Sequence, residues 1–319
     1  MHIKPATQNE LSSILARASS DLTLIEGVDL THFDQIVEHC PEDLTATVQT
    51  GMRFHAFQKA LEERRQWLPL DPPFSENLTI LEVLDGDLNG PRRYGFGKAR
   101  DYVLGLKVVL ADGTPIRTGG KVVKNVAGYD LGKIFIGAGG SLGILLEATF
   151  KLLPRPRSER FLHRTCSPGP ELQATLTAIK QSSLRPSVID LFRLGNLPKP
   201  SDHVVVVLGF SGTQAEVESQ ASHANSLEFS QTIDLGYDRD FWSSRTRASV
   251  MTVSVAPSSI GSAIKDLAAQ PFISRAGNGI LYTAQRGELR KPPQNSALEE
   301  RTKRAFDPKH ILPRLPSRL

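Results

Sequence analysis

The stretch GGKVVKNVAGYDLGKIFIGAGGSLGILLEATFKLLP, residues 119–154, carries eight glycines in 36 residues and is framed by strand-like apolar runs. Such density between strands is unlike a linker. Gly137, Gly139, Gly140 and Gly143 fall within seven residues, and removing side chains there lets a flat or phosphorylated ligand reach main-chain N–H groups, which bind anions without a lysine. The plainer alternative is that these glycines form bulges and bends where strands pack closely. A dinucleotide fingerprint Gly-x-Gly-x-x-Gly counted from Gly137 places its third glycine on Leu142, ahead of strand rather than helix. A Walker loop fails as well, because Gly128 to Lys133 has the wrong spacing and Ile134 follows the lysine.

Around this stretch the elements alternate. Thr7 and Glu10 predict a capping box opening a helix to about Ala18. Residues 44–50 read as a strand, and Phe54, Phe57 and Leu61 share one face of a helix ending near Arg65. Asp112-Gly113 between two strand-like runs (102–118) is a hairpin signal. Pro154, Pro156 and the arginines from Arg155 to Arg164 mark a boundary near residue 160. Beyond it, helix-like and strand-like segments alternate for about 130 residues, which by itself implies a second α/β sandwich. The tail, residues 298–315, reads as a short basic helix stopping before Asp307-Pro308.

The 319 residues allow two ordinary domains, 39% of them hydrophobic, and the formal charge is only +4. Lys and Arg are scattered, without the basic stripe and interleaved aromatics of a nucleic-acid binder. Cys40 and Cys166, far apart, supply neither a disulfide framework nor a metal site and suit a reducing compartment. The first twenty residues lack a signal-peptide core, so a cytoplasmic location is expected.

Residues 90–156, and VVKNVAGYDL within them most specifically, resemble the FAD-binding subunit of glycolate oxidase, in the vanillyl-alcohol-oxidase or PCMH type of FAD-linked oxidases. Weaker similarity extends to PATQNEL, DLTATVQTG, QWLPLDPPF, AGNGIL and RAFDPKHIL. The resemblance implies an α+β chain: a two-part FAD-binding domain (1–157), an α+β cap domain (158–298) and a tail (299–319) returning to the flavin side. By position it implies that Gly139, Gly140, Ser141, Leu142, Gly143 and Ile144 line a non-covalent FAD, with Asn125, Gly128 and Asp130 shaping the neighbouring wall. It further implies a subunit of a glycolate oxidase or dehydrogenase complex, beside a larger FAD-linked subunit and an iron–sulfur subunit, working on a small 2-hydroxy acid and peripheral to the inner membrane through that complex. A flavin-less scaffold stabilising a catalytic flavoprotein is the alternative.

Two departures from the family pattern bear on the flavin. The family's early Gly-Gly-Gly-Thr loop is missing, since the chain passes from SSDLTLIEG directly to VDLTHFDQIVEH. Its Thr-Ile-Gly-Gly segment corresponds to TILEVLDGDLNGP (79–91), where Leu81 and Glu82 stand at the glycine positions and Glu82, Asp85 and Asp87 bring carboxylates toward an anionic cofactor. Both predict that FAD is held weakly or lost. The family's histidine-rich metal signature corresponds to SRAGNGILYTA, which has no histidine, so no metal ligand or catalytic base is assigned. Arg92 and Arg93 read either as an anion grip or as half of an ion pair with Asp85 or Asp87.

Overall fold

In a computed structural model of the chain, residues 1–120, 131–194, 203–243, 245, 249–267, 270–283 and 296–316 are described. The chain divides into two compact units. The first gathers Met1–Asn89, Lys98–Arg155 and Gln294–Arg318; the second holds Gly90–Gly97 and Pro156–Pro293.

The first unit begins with strand β1 (His2–Ile3), helix α1 (Gln8–Asp21) and strand β2 (Gly27–Val28), with β1 and β2 parallel. Thr7 caps α1 by accepting the Glu10 N–H, while the Glu10 carboxylate reaches past Thr7 to the Ala6 N–H at 2.8 Å. Strands β3 (Ile36–Cys40) and β4 (Thr45–Gln49), helix α2 (Phe54–Glu62), strand β5 (Gln66–Trp67) and helix α3 (Ile80–Asp85) follow. The chain leaves this unit for residues 90–97, which carry the one-turn helix α4 (Arg93–Phe96), and re-enters it at α5 (Ala99–Tyr102). Strands β6 (Val103–Val109), β7 (Pro115–Gly119), β8 (Ile144–Lys151) and β9 (Leu153–Pro154) complete its sheets.

The main sheet has the order β3-β4-β8-β6-β7 and every pairing in it is antiparallel. The predicted hairpin at Asp112-Gly113 joins β6 to β7. Alternation along β4 and β8 sends Ala46, Val48, Ala148 and Phe150 to one face, and a register shift against β6 between Lys107 and Val108 turns Leu145 to it as well. Phe54, Phe57 and Leu61 of α2 and Ile80, Val83 and Leu84 of α3 complete the core. A second cluster joins Val109, Ile144 and Leu146 to Leu11 and Leu15 of α1. Burying each such side chain contributes roughly 1.5–3 kcal/mol, which ordinary loop conformations would forfeit.

The second unit is built on a seven-stranded sheet. Its elements are β10 (Ser158–Cys166), α6 (Pro170–Gln181), β11 (Val188–Arg193), β12 (Val204–Gly212), α7 (Gln214–Asn225), β13 (Gln231–Thr232), α8 (Gly236–Ser243), β14 (Met251–Ser254), α9 (Ile260–Lys265), β15 (Phe272–Arg275) and β16 (Ile280–Thr283). The order is β13-β10-β12-β11-β15-β16-β14, antiparallel throughout. The α/β sandwich expected from alternation alone is therefore an antiparallel α+β layer, the class implied by the resemblance. The cause is local. Strands β15 and β16 form a direct hairpin over Ala276–Gly279, and β11 and β12 pair antiparallel, so the helices flank the sheet without acting as right-handed parallel crossovers. Residues of α6, α7 and α9 bury against one face, and Tyr237 and Phe241 of α8 against the other. The tail helix α10 (Ser296–Phe306) belongs to the first unit.

Candidate functional site

The glycine stretch forms a tight series of turns between the 3-10 segment Leu131–Ile134 and strand β8. Gly137, Gly139 and Gly140 have φ of 78°, 59° and 71°, the left-handed region that side chains resist. This turn meets the C-terminal end of α3. Gly137 N–H donates to Leu84 O at 2.8 Å and Gly139 N–H to Asp85 O at 3.1 Å. Gly140 N–H bonds the Asp85 carboxylate, whose Oδ2 would lie 3.6 Å from a Cβ at position 140.

The remaining turn residues also have internal partners. Ser141 is buried; its hydroxyl donates to Ala138 O at 2.6 Å and its carbonyl accepts from Lys303 Nζ at 2.8 Å. Leu142 lies in the core beside Val108 and Phe135, and Ile144 packs under α1. Gly143 is a packing glycine, because a Cβ there would sit 2.7 Å from Val108 Cγ1. Asn125, Gly128 and Asp130 lie outside the described residues.

Helix α3 occupies the TILEVLDG segment. Thr79 caps it by accepting the Glu82 N–H at 3.2 Å, and Glu82 Oε2 accepts the Thr79 N–H at 2.7 Å, a reciprocal capping box. Glu82 thus neutralises a helix start, a role that the Thr-x-x-Glu spacing carries in the sequence itself. Leu81 packs against both cores of the unit. Between β2 and β3, residues 29–35 make a short turn in which Asp29 Oδ1 accepts the Thr31 N–H at 2.9 Å; Lys4, 2.9 Å from Oδ2, holds the Asp29 carboxyl well below its usual range.

Asp85 ends α3, where the helix dipole presents negative charge. Its Oδ1 is shielded from solvent and has no hydrogen-bond partner among the described residues, and the same holds for Asp87 Oδ1 and Asn89 Oδ1. Burial pushes the Asp85 carboxyl up to about 7; Gly140 N–H opposes that rise and the Glu82 charge adds to it. Asp87, on the adjoining turn, has Lys98 Nζ 4.0 Å from its Oδ2. Because the folded-state value lies above the unfolded one, the folded chain keeps a proton that the unfolded chain has lost. Stability from this group is full at acid pH and is lost as pH rises through about 7. Thermal melts between about pH 5 and about pH 8 will therefore show a falling midpoint, and Asp85→Asn will flatten the first unit's part of that fall. Equal slopes in both proteins would contradict it.

Arg92 takes neither predicted partner. It forms a two-pronged pair with Glu159, at 3.0 Å through Nε and 2.8 Å through Nη2, and lies over the Phe161 ring. In SRAGNGILYTA, Ser274 donates to Ile280 O at 2.8 Å and Arg275 is bound by Asp190 and Asp238. No group of three or more His, Cys, Asp or Glu suited to a metal ion occurs among the described residues. A separate cleft of about 260 Å³ opens in the first unit, lined by Thr47, Thr149, Lys107, Glu147, Arg117 and Thr118. Lys107 and Glu147 pair across it at 2.9 Å.

Residues 3–119 match the FAD binding domain family. Glycolate oxidase subunit GlcD of Bacillus subtilis (strain 168) is 45% identical over 131 residues, 41% of this chain and 28% of that protein. Glycolate oxidase subunit GlcE of Escherichia coli (strain K12) is 40% identical over 152 residues, 47% of this chain and 42% of that protein. The chain thus spans less than half the length of these curated relatives. An alkyldihydroxyacetonephosphate synthase structure superposes with a TM-score of 0.74 over 97% of this chain and 75% of that one, at 14% identity, a likeness of fold. Among the described residues, no helix is long and apolar enough to cross a membrane.

The turn at 137–143 does not fit a diphosphate as it stands. Its glycine N–H groups at 137, 139 and 140 already serve α3, the last of them through the Asp85 carboxylate, and the one ammonium that meets the turn, Lys303 at Ser141 O, is paired with Asp307.

Proposed function

We propose, from a chain whose residues 3–119 belong to the FAD binding domain family, that this protein is an FAD-binding-type subunit of a glycolate oxidase or dehydrogenase complex. It supports oxidation of a small 2-hydroxy acid beside a larger FAD-linked subunit and an iron–sulfur subunit. The observation that carries this reading is the 45% and 40% identity to two glycolate oxidase subunits, over 131 and 152 residues. In this reading residues 1–157 form the FAD-binding domain, 158–298 the cap and 299–319 the tail. The nucleotide edge is Gly139, Gly140, Ser141, Leu142, Gly143 and Ile144, with Asn125, Gly128 and Asp130 beside it. FAD is the cofactor that the domain family supports.

The chain's own part in the complex is structural and positional. Two cysteines cannot supply the four ligands of an ordinary iron–sulfur cluster, which is why electron transfer is assigned to a partner. The flavin-less scaffold is the second reading, and a specific observation favours it: the glycine N–H groups at 137, 139 and 140 are taken up by α3. A fold can persist as a support after its site has closed.

Co-expression with the larger FAD-linked subunit, followed by affinity purification through this chain, tests the proposal. The two are expected to co-purify in fixed ratio, and glycolate-dependent dye reduction is expected only from the assembled complex. An isolated chain that carries stoichiometric flavin and oxidises glycolate unaided would overturn it.

A further inference from the structure

We propose that the Asp85 carboxylate is a built-in anion seated on the Gly137–Gly140 turn, so that it and a phosphate of a dinucleotide compete for the Gly140 N–H. The proposal rests on the reading that this turn is the chain's nucleotide edge, and it adds why the edge is closed and what opens it.

Three features of the molecule support it. A run of left-handed glycines turns successive N–H groups toward one side, a concavity that binds anions. Here the two N–H groups at 137 and 139 cap the carbonyls of Leu84 and Asp85, and the third, at 140, meets a carboxylate oxygen. The ligand of the turn is thus the end of α3 itself, with its one negative charge placed at Gly140.

That charge is in a poor position by every other measure. Asp85 stands at a helix C-terminus, where the dipole disfavours an anion. Its Oδ1 is buried without a partner among the described residues, as is Asp87 Oδ1 on the following turn. Glu82, one turn earlier, adds like charge, and burial drives the carboxyl upward. The packing of α3 rests on Ile80, Val83 and Leu84, which do not need a carboxylate at position 85. The bond to Gly140 is the favourable contact that Asp85 makes through its side chain, so removing the carboxylate frees a donor rather than dismantling a core.

The closeness of the turn makes the competition direct. A Cβ at Gly137 would stand 3.3 Å from Asp87 Cβ, and one at Gly140 would stand 3.6 Å from Asp85 Oδ2. A phosphate approaching Gly140 therefore meets the carboxylate at contact distance and is repelled by it as well as excluded.

The test is titration of the purified chain at about pH 8, above the raised Asp85 value so that the carboxyl is charged, with FAD, followed by flavin fluorescence quenching, and with ADP, followed by calorimetry, for wild type, Asp85→Ala and Asp85→Asn. Asp85→Ala is expected to tighten both ligands by about tenfold, the scale of one freed charge-assisted hydrogen bond. Asp85→Asn keeps the volume and removes the charge, and a smaller gain in the same direction is expected. Should Asp85→Ala fail to fold, the Asn variant decides. Affinities equal to wild type in the folded variants, or no binding of either ligand by any of them, would overturn the proposal. Co-purification with the larger FAD-linked subunit is read separately on the same variants. Its loss in wild type counts against the subunit assignment, whereas unchanged nucleotide affinity with intact co-purification counts against the role of Asp85 alone.

Discussion

Arg275→Met is expected to destabilise the second unit by about 3–5 kcal/mol, the range for removing one partner of a buried ion cluster. Arg275 is 1% exposed. Its Nη1 donates to Asp190 Oδ2 at 2.5 Å and its Nη2 to Asp238, and Tyr237 donates its hydroxyl to Asp190 Oδ2 at 2.9 Å. The Tyr237 ring stacks on Phe192 with centroids 4.6 Å apart. One guanidinium thus ties α8 to β11 and β15, and without it two buried carboxylates face each other unpaired. Burial already pushes the Asp190 carboxyl up to about 7, with Arg275 opposing and Asp238 adding to the rise. The unpaired carboxylates can escape their charge by taking up protons, so the loss should be larger at about pH 8 than at about pH 5.5. Urea unfolding followed by circular dichroism measures the effect, and Trp242 on α8 gives a local fluorescence reading. A variant that also carries Asp190→Asn and Asp238→Asn should recover much of the loss, because the penalty lies in the stranded charges. A loss below about 1 kcal/mol, or one independent of pH, would show that the cluster is solvated.

The second large effect falls on the tail. Lys303 Nζ donates to Ser141 O at 2.8 Å, to Asp307 Oδ2 at 2.5 Å and to Leu312 O at 3.1 Å. Asp307, with 0% exposure, also accepts the N–H groups of Ile311 and Leu312. This one ammonium holds the glycine turn and both ends of the tail's final bend. Lys303→Met leaves the Asp307 charge buried and two carbonyls without a donor, and about 3–5 kcal/mol should again be lost, this time from the first unit. Ile311 and Leu312, buried beside Leu11 and Leu15, would be released with it. Limited proteolysis should cut residues 307–316 faster in the variant, while Trp67 fluorescence follows the unit as a whole. Lys303→Arg should not rescue, since a planar guanidinium does not match three acceptors spaced around one tetrahedral nitrogen. Wild-type protease resistance in Lys303→Met would remove the tail lock from the account.

Local signals were legible where chemistry acts over a few residues. Thr7 before an apolar-periodic run, the Asp112-Gly113 turn and the left-handed glycines are each governed by neighbouring dihedrals and short hydrogen bonds. Thr79-x-x-Glu82 carried the same kind of signal, and alignment with a glycine-bearing segment hid it; the capping box makes Glu82 a helix residue before it is anything else. The resemblance at residues 90–156 pointed to FAD-linked oxidases, and the match of residues 3–119 to the FAD binding domain family agrees with it.

The partners of the charged side chains had no such signal. Arg275 finds its carboxylates 85 and 37 positions away, and Lys303 reaches Ser141 across 162. Asp85 meets Gly140 only because α3 and the turn before β8 pack on one core. The sequence by itself determined which segments coil, which extend and where glycine is obligatory, because those choices are settled between near neighbours. Only the tertiary structure decided that the donors of the glycine turn face the end of α3, and that one of them meets the Asp85 carboxylate. Desolvation and charge pairing depend on distances in space, which residue order does not contain.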